Sequence, residues 1–98
     1  MRAYRLTKQA FKTLTSLAKN DPKTAKKLKE VIGNLREDLI VGESLQGYSK
    51  FKKIRVGKFR LIYTLQDKLL LIAIIEKRET VYQTFEHLFK NSSFLDIE

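Results

Sequence analysis

The stretch from Leu69 to Ile75, LLLIAII, is apolar at every position, and this constrains the fold more than any other feature of the chain. Successive side chains of a strand point to opposite faces of its sheet, so a strand with one wet face alternates apolar and polar residues. A strand that is apolar throughout must be covered on both faces. The chain therefore needs a central strand with a packed layer on each side. At 98 residues it can bury one modest core but not two, so a single domain over residues 1–98 is expected.

The rest of the sequence supplies the cover. Ala3 to Leu6 reads as a short strand, and Thr7 as the N-cap of a helix whose Ala10, Phe11, Leu14, Leu17 and Ala18 follow helical spacing. Asn20-Asp21-Pro22 ends it, and Asp21 caps a second helix with Pro22 in its first position. That helix carries Ala25, Leu28, Val31, Ile32, Leu35 and Leu39 along one stripe, while Lys23, Lys26, Lys27 and Lys29 read as a solvated face. Ile40 to Gly47 reads as a loop. Ser49 to Val56 and Phe59 to Gln66 alternate as strands joined at Gly57-Lys58, Lys68 to Lys77 is the third strand of the meander, and Thr80 to Lys90 forms a last helix. The expected fold class is α+β: a small antiparallel sheet with an N-terminal strand, a helical hairpin, a three-strand meander and a C-terminal helix, in the order β-α-α-β-β-β-α. The tail from Asn91 to Glu98 is expected to fray unless Phe94, Leu95 and Ile97 dock on something.

Charge narrows the function. The formal net charge is +9 and the pI about 9.9. Lys50 to Tyr63, KFKKIRVGKFRLIY, concentrates lysine and arginine with no acid among them. Charge of one sign held together repels itself until a partner neutralises it, which points to nucleic acid, an anionic membrane surface or an acidic protein. The absence of cysteine excludes disulfides, cysteine-ligated zinc and thiol catalysis. No Gly-rich phosphate loop or metal-ligand spacing appears, so no cofactor or metal is expected. The start, MRAYRLTKQAF, has no apolar leader core, and Leu69 to Ile75 is too short to cross a bilayer. A soluble cytoplasmic protein that does not engage a membrane is the expectation.

Strand alternation places Ile54 and Val56 on one face and Phe51, Lys53 and Arg55 on the other. In the next strand Arg60 shares a face with Ile62 and Thr64, beside the core. Glu76, Lys77, Arg78 and Glu79 follow the apolar strand, and then Tyr82, so three consecutive strands can each deliver a cation to one patch. A single basic strand more often protects a sheet edge; it is the convergence that suggests a site. Glu76 and Glu79, lying among cations, are expected to set the arginines by ion pairing. Tyr48 and Tyr63 read as packing residues, and His87 as solvent-facing.

These residues carry a resemblance. Leu45-Gln46-Gly47, then Ile54-Arg55-Val56-Gly57-Lys58-Phe59-Arg60-Leu61-Ile62-Tyr63, the apolar strand, and Lys77-Arg78-Glu79-Thr80-Val81-Tyr82 resemble the RelE branch of the RelE/ParE toxin superfamily over nearly the whole chain. The resemblance implies a toxin of a type II toxin–antitoxin pair that cleaves messenger RNA in the ribosomal A site without a metal, held inactive by a cognate antitoxin with an acidic segment. It implies catalytic roles for Lys53, Arg55, Arg60, Arg78 and Tyr82, while Lys50, Lys52, Lys58 and Lys77 are expected to bind RNA. Position 55 departs from the best-known members, which have lysine there. A guanidinium stays charged at any accessible pH, so Arg55 is expected to clamp charge rather than shuttle a proton.

The chemistry has its own logic. RNA cleavage needs a base for the 2′-hydroxyl proton, cations for the phosphorane's growing charge and a proton for the 5′-oxygen. Tyr82 is the candidate base, and cations packed around its ring are expected to favour the phenolate. Two other readings stand beside the nuclease: a ParE-like DNA gyrase inhibitor, and an inactive module that binds RNA or an antitoxin through the same cations.

Overall fold

The computed structural model describes residues 1–91; the expectations for the tail, including docking of Phe94, Leu95 and Ile97, lie outside the described residues. The elements are β1 (Ala3–Leu6), α1 (Lys8–Asn20), α2 (Pro22–Arg36), β2 (Glu43–Leu45), β3 (Tyr48–Val56), β4 (Phe59–Gln66), β5 (Leu69–Lys77) and α3 (Val81–Asn91). They form an α+β fold around one five-stranded sheet in the order β1-β5-β4-β3-β2.

The helix starts are where side-chain chemistry requires them. Thr7 is fully buried; its hydroxyl accepts from the Ala10 N–H at 3.3 Å and donates to the Ala73 carbonyl at 2.6 Å, so one residue caps α1 and ties it to β5. Asp21 caps α2 by accepting from the Thr24 N–H at 3.3 Å and the Thr24 hydroxyl at 2.6 Å. These bonds hold the Asp21 carboxyl below its ordinary value. Helix α2 stops at Arg36, and Leu39, placed on its stripe by spacing alone, lies beyond it and is 67% exposed.

The sheet differs from the expected meander in two ways. The segment read as a loop contains β2, which pairs antiparallel with β3 through Glu43↔Lys53 and Ser44↔Lys52. A three-residue strand has no period for a sequence pattern to reveal. The backbone comes so close there that a Cβ on Gly42 would sit 2.5 Å from the Lys53 carbonyl oxygen, while the Gly42 N–H donates to the Tyr63 hydroxyl at 2.8 Å. The second difference is that β1 joins β5 in parallel, from Ala3↔Leu69 to Leu6↔Ile72, so the sheet is mixed. Beyond Leu6 the free edge of β5 is covered by side chains. The Gln9 amide donates to the Ile75 carbonyl at 2.9 Å and accepts from the Ile75 N–H at 3.0 Å, as a neighbouring strand would.

Strand β5 is covered on both faces, as its composition requires. On one face Leu28, Ile32 and Leu35 of α2 pack with Leu61, Leu70 and Ile72; on the other, Val81 and Phe85 of α3 pack with Phe51, Ile62 and Ile74. An irregularity between Ile62 and Tyr63 pairs Ile62 with Ile74 and Tyr63 with Ile72, leaving Ala73 as the extra residue. A bulge shifts the alternation by one. Ile75 thus returns to the hairpin core and Glu76 falls on the α3 side, in register with Arg60.

Candidate functional site

The site is built on the α3 face where α3 no longer covers the sheet. Arg60 on β4 lies beside Ile62, whose side chain is fully buried, and its guanidinium reaches out toward α3. Arg60 Nη1 donates to the Tyr82 hydroxyl at 2.9 Å. Lys53 Nζ lies 5.5 Å from the centre of the Tyr82 ring and Arg60 Cζ 5.9 Å from it, both within cation–π range. The ring packs against the second core while its hydroxyl meets the arginine, so Tyr82 is both a packing residue and a site residue.

Arg55 stands directly opposite Arg60 in the β3–β4 ladder. Like charges across a strand pair destabilise it, and among the described residues no carboxylate forms an ion pair with Arg55, Arg60 or Arg78. Glu76, register partner of Arg60 on its other side, was expected to supply one. Its carboxylate instead accepts from the Thr84 hydroxyl and from the Gln9 amide, the latter at 3.4 Å. Glu76 therefore fastens the first turns of α3, and with them Tyr82, to the end of β5. Arg60 Nε is buried and, among the described residues, has no hydrogen-bond acceptor. An orphaned donor of this kind costs about 1–3 kcal/mol.

Arg78 lies in the turn after β5, its position fixed by a backbone bond from its N–H to the Lys58 carbonyl at 3.0 Å. Its side chain is exposed and lines, with Arg55, Gly57, Lys58 and Glu79, a hollow of about 330 Å³. Gly57 makes the adjoining turn with φ +61, a left-handed conformation that suits glycine. The expected catalytic set thus divides into Lys53, Arg60 and Tyr82 in mutual reach and Arg55 and Arg78 around a neighbouring hollow.

The expected RNA-binding lysines spread more widely. Lys50 and Lys52 alternate with Phe51 and Lys53 and so take the face of Ile54 and Val56, away from the site. Lys77 shares the hairpin side with Ile75. Lys58 sits close enough to Asp21, at the turn between α1 and α2, to help hold that carboxyl ionised. A larger hollow of about 610 Å³, bordered by Arg2, Arg36 and Asp38, contains none of the expected residues. Sequence reasoning missed Thr84 and Gln9; the only signal was that each polar side chain lies on a helix near a buried strand end.

The sequence and its geometry can be set beside known proteins. The family described as the ParE toxin of the type II toxin–antitoxin system parDE matches residues 4–82. No curated protein matches the chain. Among solved structures, the YoeB dimer from Staphylococcus aureus superposes with a TM-score of 0.70 at 24% identity, over 79% of this chain and 97% of that one. The DinJ–YafQ complex from E. coli gives 0.70 at 22%, over 84% and 99%. The toxin–antitoxin complex RelBE2 from Mycobacterium tuberculosis gives 0.63 at 28%, over 79% and 98%. These likenesses agree on the fold described above.

Proposed function

The chain belongs to the ParE toxin family of type II toxin–antitoxin systems, and on that premise we propose that it is a RelE-like endoribonuclease, cutting messenger RNA in the ribosomal A site and so halting translation in the cytoplasm. The observation that carries this reading is the cationic cluster around Tyr82. Arg55 and Arg60 face each other across two strands and, among the described residues, neither is ion-paired with a carboxylate, while Arg60 holds the Tyr82 hydroxyl at 2.9 Å. A phosphate would relieve the repulsion between the arginines, and the Tyr82 oxygen beside it, as phenolate, would take the proton of the attacking 2′-hydroxyl. Arg60, Lys53 and Arg55 would stabilise the phosphorane. Arg78, on its exposed turn, would screen the charge of the leaving oxygen, and the Lys53 ammonium would give it a proton. An antitoxin whose acidic segment lies over these cations would keep the toxin silent, and the charge complementarity would speed association.

A second reading, inhibition of DNA gyrase, has in its favour the family's own description as a ParE toxin. One experiment separates the two. The purified chain is added to a translation reaction and cleavage positions are mapped on the messenger, with ribosome-free RNA and a gyrase supercoiling assay in parallel. Cuts on translating ribosomes and few on free RNA are expected, because so few catalytic groups need the ribosome to bend the RNA into line. Equal cutting of free RNA would refute the ribosome-dependent reading. An intact messenger with loss of supercoiling would establish the gyrase reading. Tyr82→Phe keeps the ring and removes the hydroxyl, so unchanged cleavage by that variant would take Tyr82 out of the mechanism.

A further inference from the structure

Between the β2–β3 turn and α3 runs a groove of about 320 Å³, near the lower end of the roughly 300–1,000 Å³ typical of small-ligand sites. It is continuous with the site, since Lys53 and Tyr82 line both. The rest of its lining includes Gln46, Tyr48, Phe85 and Glu86. The Tyr48 and Phe85 rings stand edge to face with centres 4.9 Å apart; Phe85 and Leu45 are buried, so the aromatic surface the groove offers is that of half-buried Tyr48 and Tyr82. Such rings suit a flat, unstacked base. The Lys53 ammonium lies beside the Tyr82 ring, at the end the groove shares with the site; besides it and the tyrosine hydroxyls, the polar groups are Gln46 and Glu86, both exposed.

Glu86 decides what the groove can take. It follows Tyr82 by four residues on α3 and so lies on the same helix face one turn on. No ion pair engages it among the described residues. A carboxylate repels phosphate, so the phosphate belongs on the arginine side of Tyr82 and the groove receives an uncharged part of the same strand. A carboxylate only accepts hydrogen bonds. Among the four RNA bases, guanine alone presents two adjacent donors, N1–H and N2–H. Adenine and cytosine each offer an amino group beside a ring acceptor, and uracil offers one N–H between two carbonyls that the carboxylate would repel. The Gln46 amide can donate to guanine O6. We infer that this groove is a base-reading subsite for an unpaired guanine adjoining the phosphate held at Arg60 and Tyr82; the inference rests on the nuclease reading above.

The test maps cleavage by the parent chain, Glu86→Gln and Gln46→Ala on messengers that present all four bases at each position around the cut. Both side chains are exposed, so the variants should fold as the parent does, which thermal melting checks. The parent should favour guanine at one fixed position from the cut. Glu86→Gln should lower cleavage at guanine sites relative to uracil sites by about 5- to 100-fold, the discrimination of one good paired contact to a base, and Gln46→Ala should do so more weakly. A parent without base bias, or a Glu86→Gln protein that keeps the bias, would overturn the subsite and leave the nuclease reading intact. A parent that cuts nothing would overturn the nuclease reading, and the subsite with it.

Discussion

The two faces of the sheet come from the same strands and are finished differently. The hairpin face is closed: α1 and α2 cover it, and Ala10, Leu28, Leu61, Leu70 and Ile72 are without exposure. Among the described residues the opposite face is covered by α3 alone, which lies over Phe51, Ile62 and Ile74 and then stops short of Lys53, Arg55 and Arg60. Close packing on the first face stabilises the fold. On the second, unpaired like charges and an orphaned donor destabilise it, and those are the groups able to bind an anion. Apart from the apolar cluster under α3, the packing that stabilises the fold and the groups able to do chemistry thus lie on opposite sides of a single layer of backbone.

The largest effect should come from the closed face. Leu28→Ala removes a fully buried side chain and should cost about 2–5 kcal/mol of stability, the range for a large-to-small core change, as measured by urea denaturation. A loss within about 0.5 kcal/mol, the range of surface substitutions, would mean that this face is not the one that holds the fold. On the open face the pattern should invert. Arg60→Ala should cost on the order of 2–4 kcal/mol of transition-state stabilisation in mapped messenger cleavage, the usual loss for one charge-stabilising donor, while the protein unfolds at the same urea concentration as the parent or a higher one. The increase is possible because removing Arg60 ends its repulsion with Arg55 and removes its orphaned Nε. Marked destabilisation of Arg60→Ala would show the arginine to be structural and would erase the contrast between the faces.

A smaller effect is expected where the two faces are tied together. Thr84→Val deletes the hydroxyl that α3 gives to Glu76 while preserving shape. Stability should fall by about 0.5–1.5 kcal/mol, the net worth of one hydrogen bond, and cleavage should fall as well because Tyr82 is less firmly placed. Thr84→Ser should restore both. If Thr84→Val matched the parent in cleavage, α3 would be held by its apolar stripe alone.

How much of this could be read from the sequence follows the same division. The closed face repeats with the period of a helix, so Leu28, Ile32 and Leu35 were placed correctly by spacing. Thr7 and Asp21 were readable as caps because a hydroxyl or carboxylate just before an apolar helix has one common use. Lys53, Arg60 and Tyr82 come together as alternation and family resemblance implied. Lys50 and Lys52, grouped with them by composition, lie on the other face because a strand separates neighbours that a charge count joins. The bulge at Ala73 left no trace in a stretch where every residue is apolar, yet it turns Glu76 toward Arg60 and Thr84. Strand β2 and the parallel β1 were hidden for a related reason: partner and direction are set by contacts distant in sequence.

The smallest expected effect concerns acid, and it should touch only the hairpin side. Asp21 is held ionised below its ordinary value of 3.8, first by the Thr24 hydroxyl, then by the Thr24 N–H, with Lys58 and Lys23 adding weaker attraction. A carboxyl whose folded value lies below its unfolded one contributes stability above the unfolded value and loses it as pH falls through the folded one. The increment from Asp21 should therefore be complete from neutrality down to about pH 5 and fade as pH drops below 3.8. Asp21→Asn keeps an oxygen for the cap and removes the titrating charge, so its stability should fall less steeply than the parent's over that acid window. Melting temperatures of the two proteins at pH 3, 5 and 7, about one unit on either side of 3.8 and one reference, measure the difference. Identical slopes would mean that the cap works by geometry alone, leaving Lys58, the cation of the basic stretch that acts on Asp21, free of that structural duty and available to RNA.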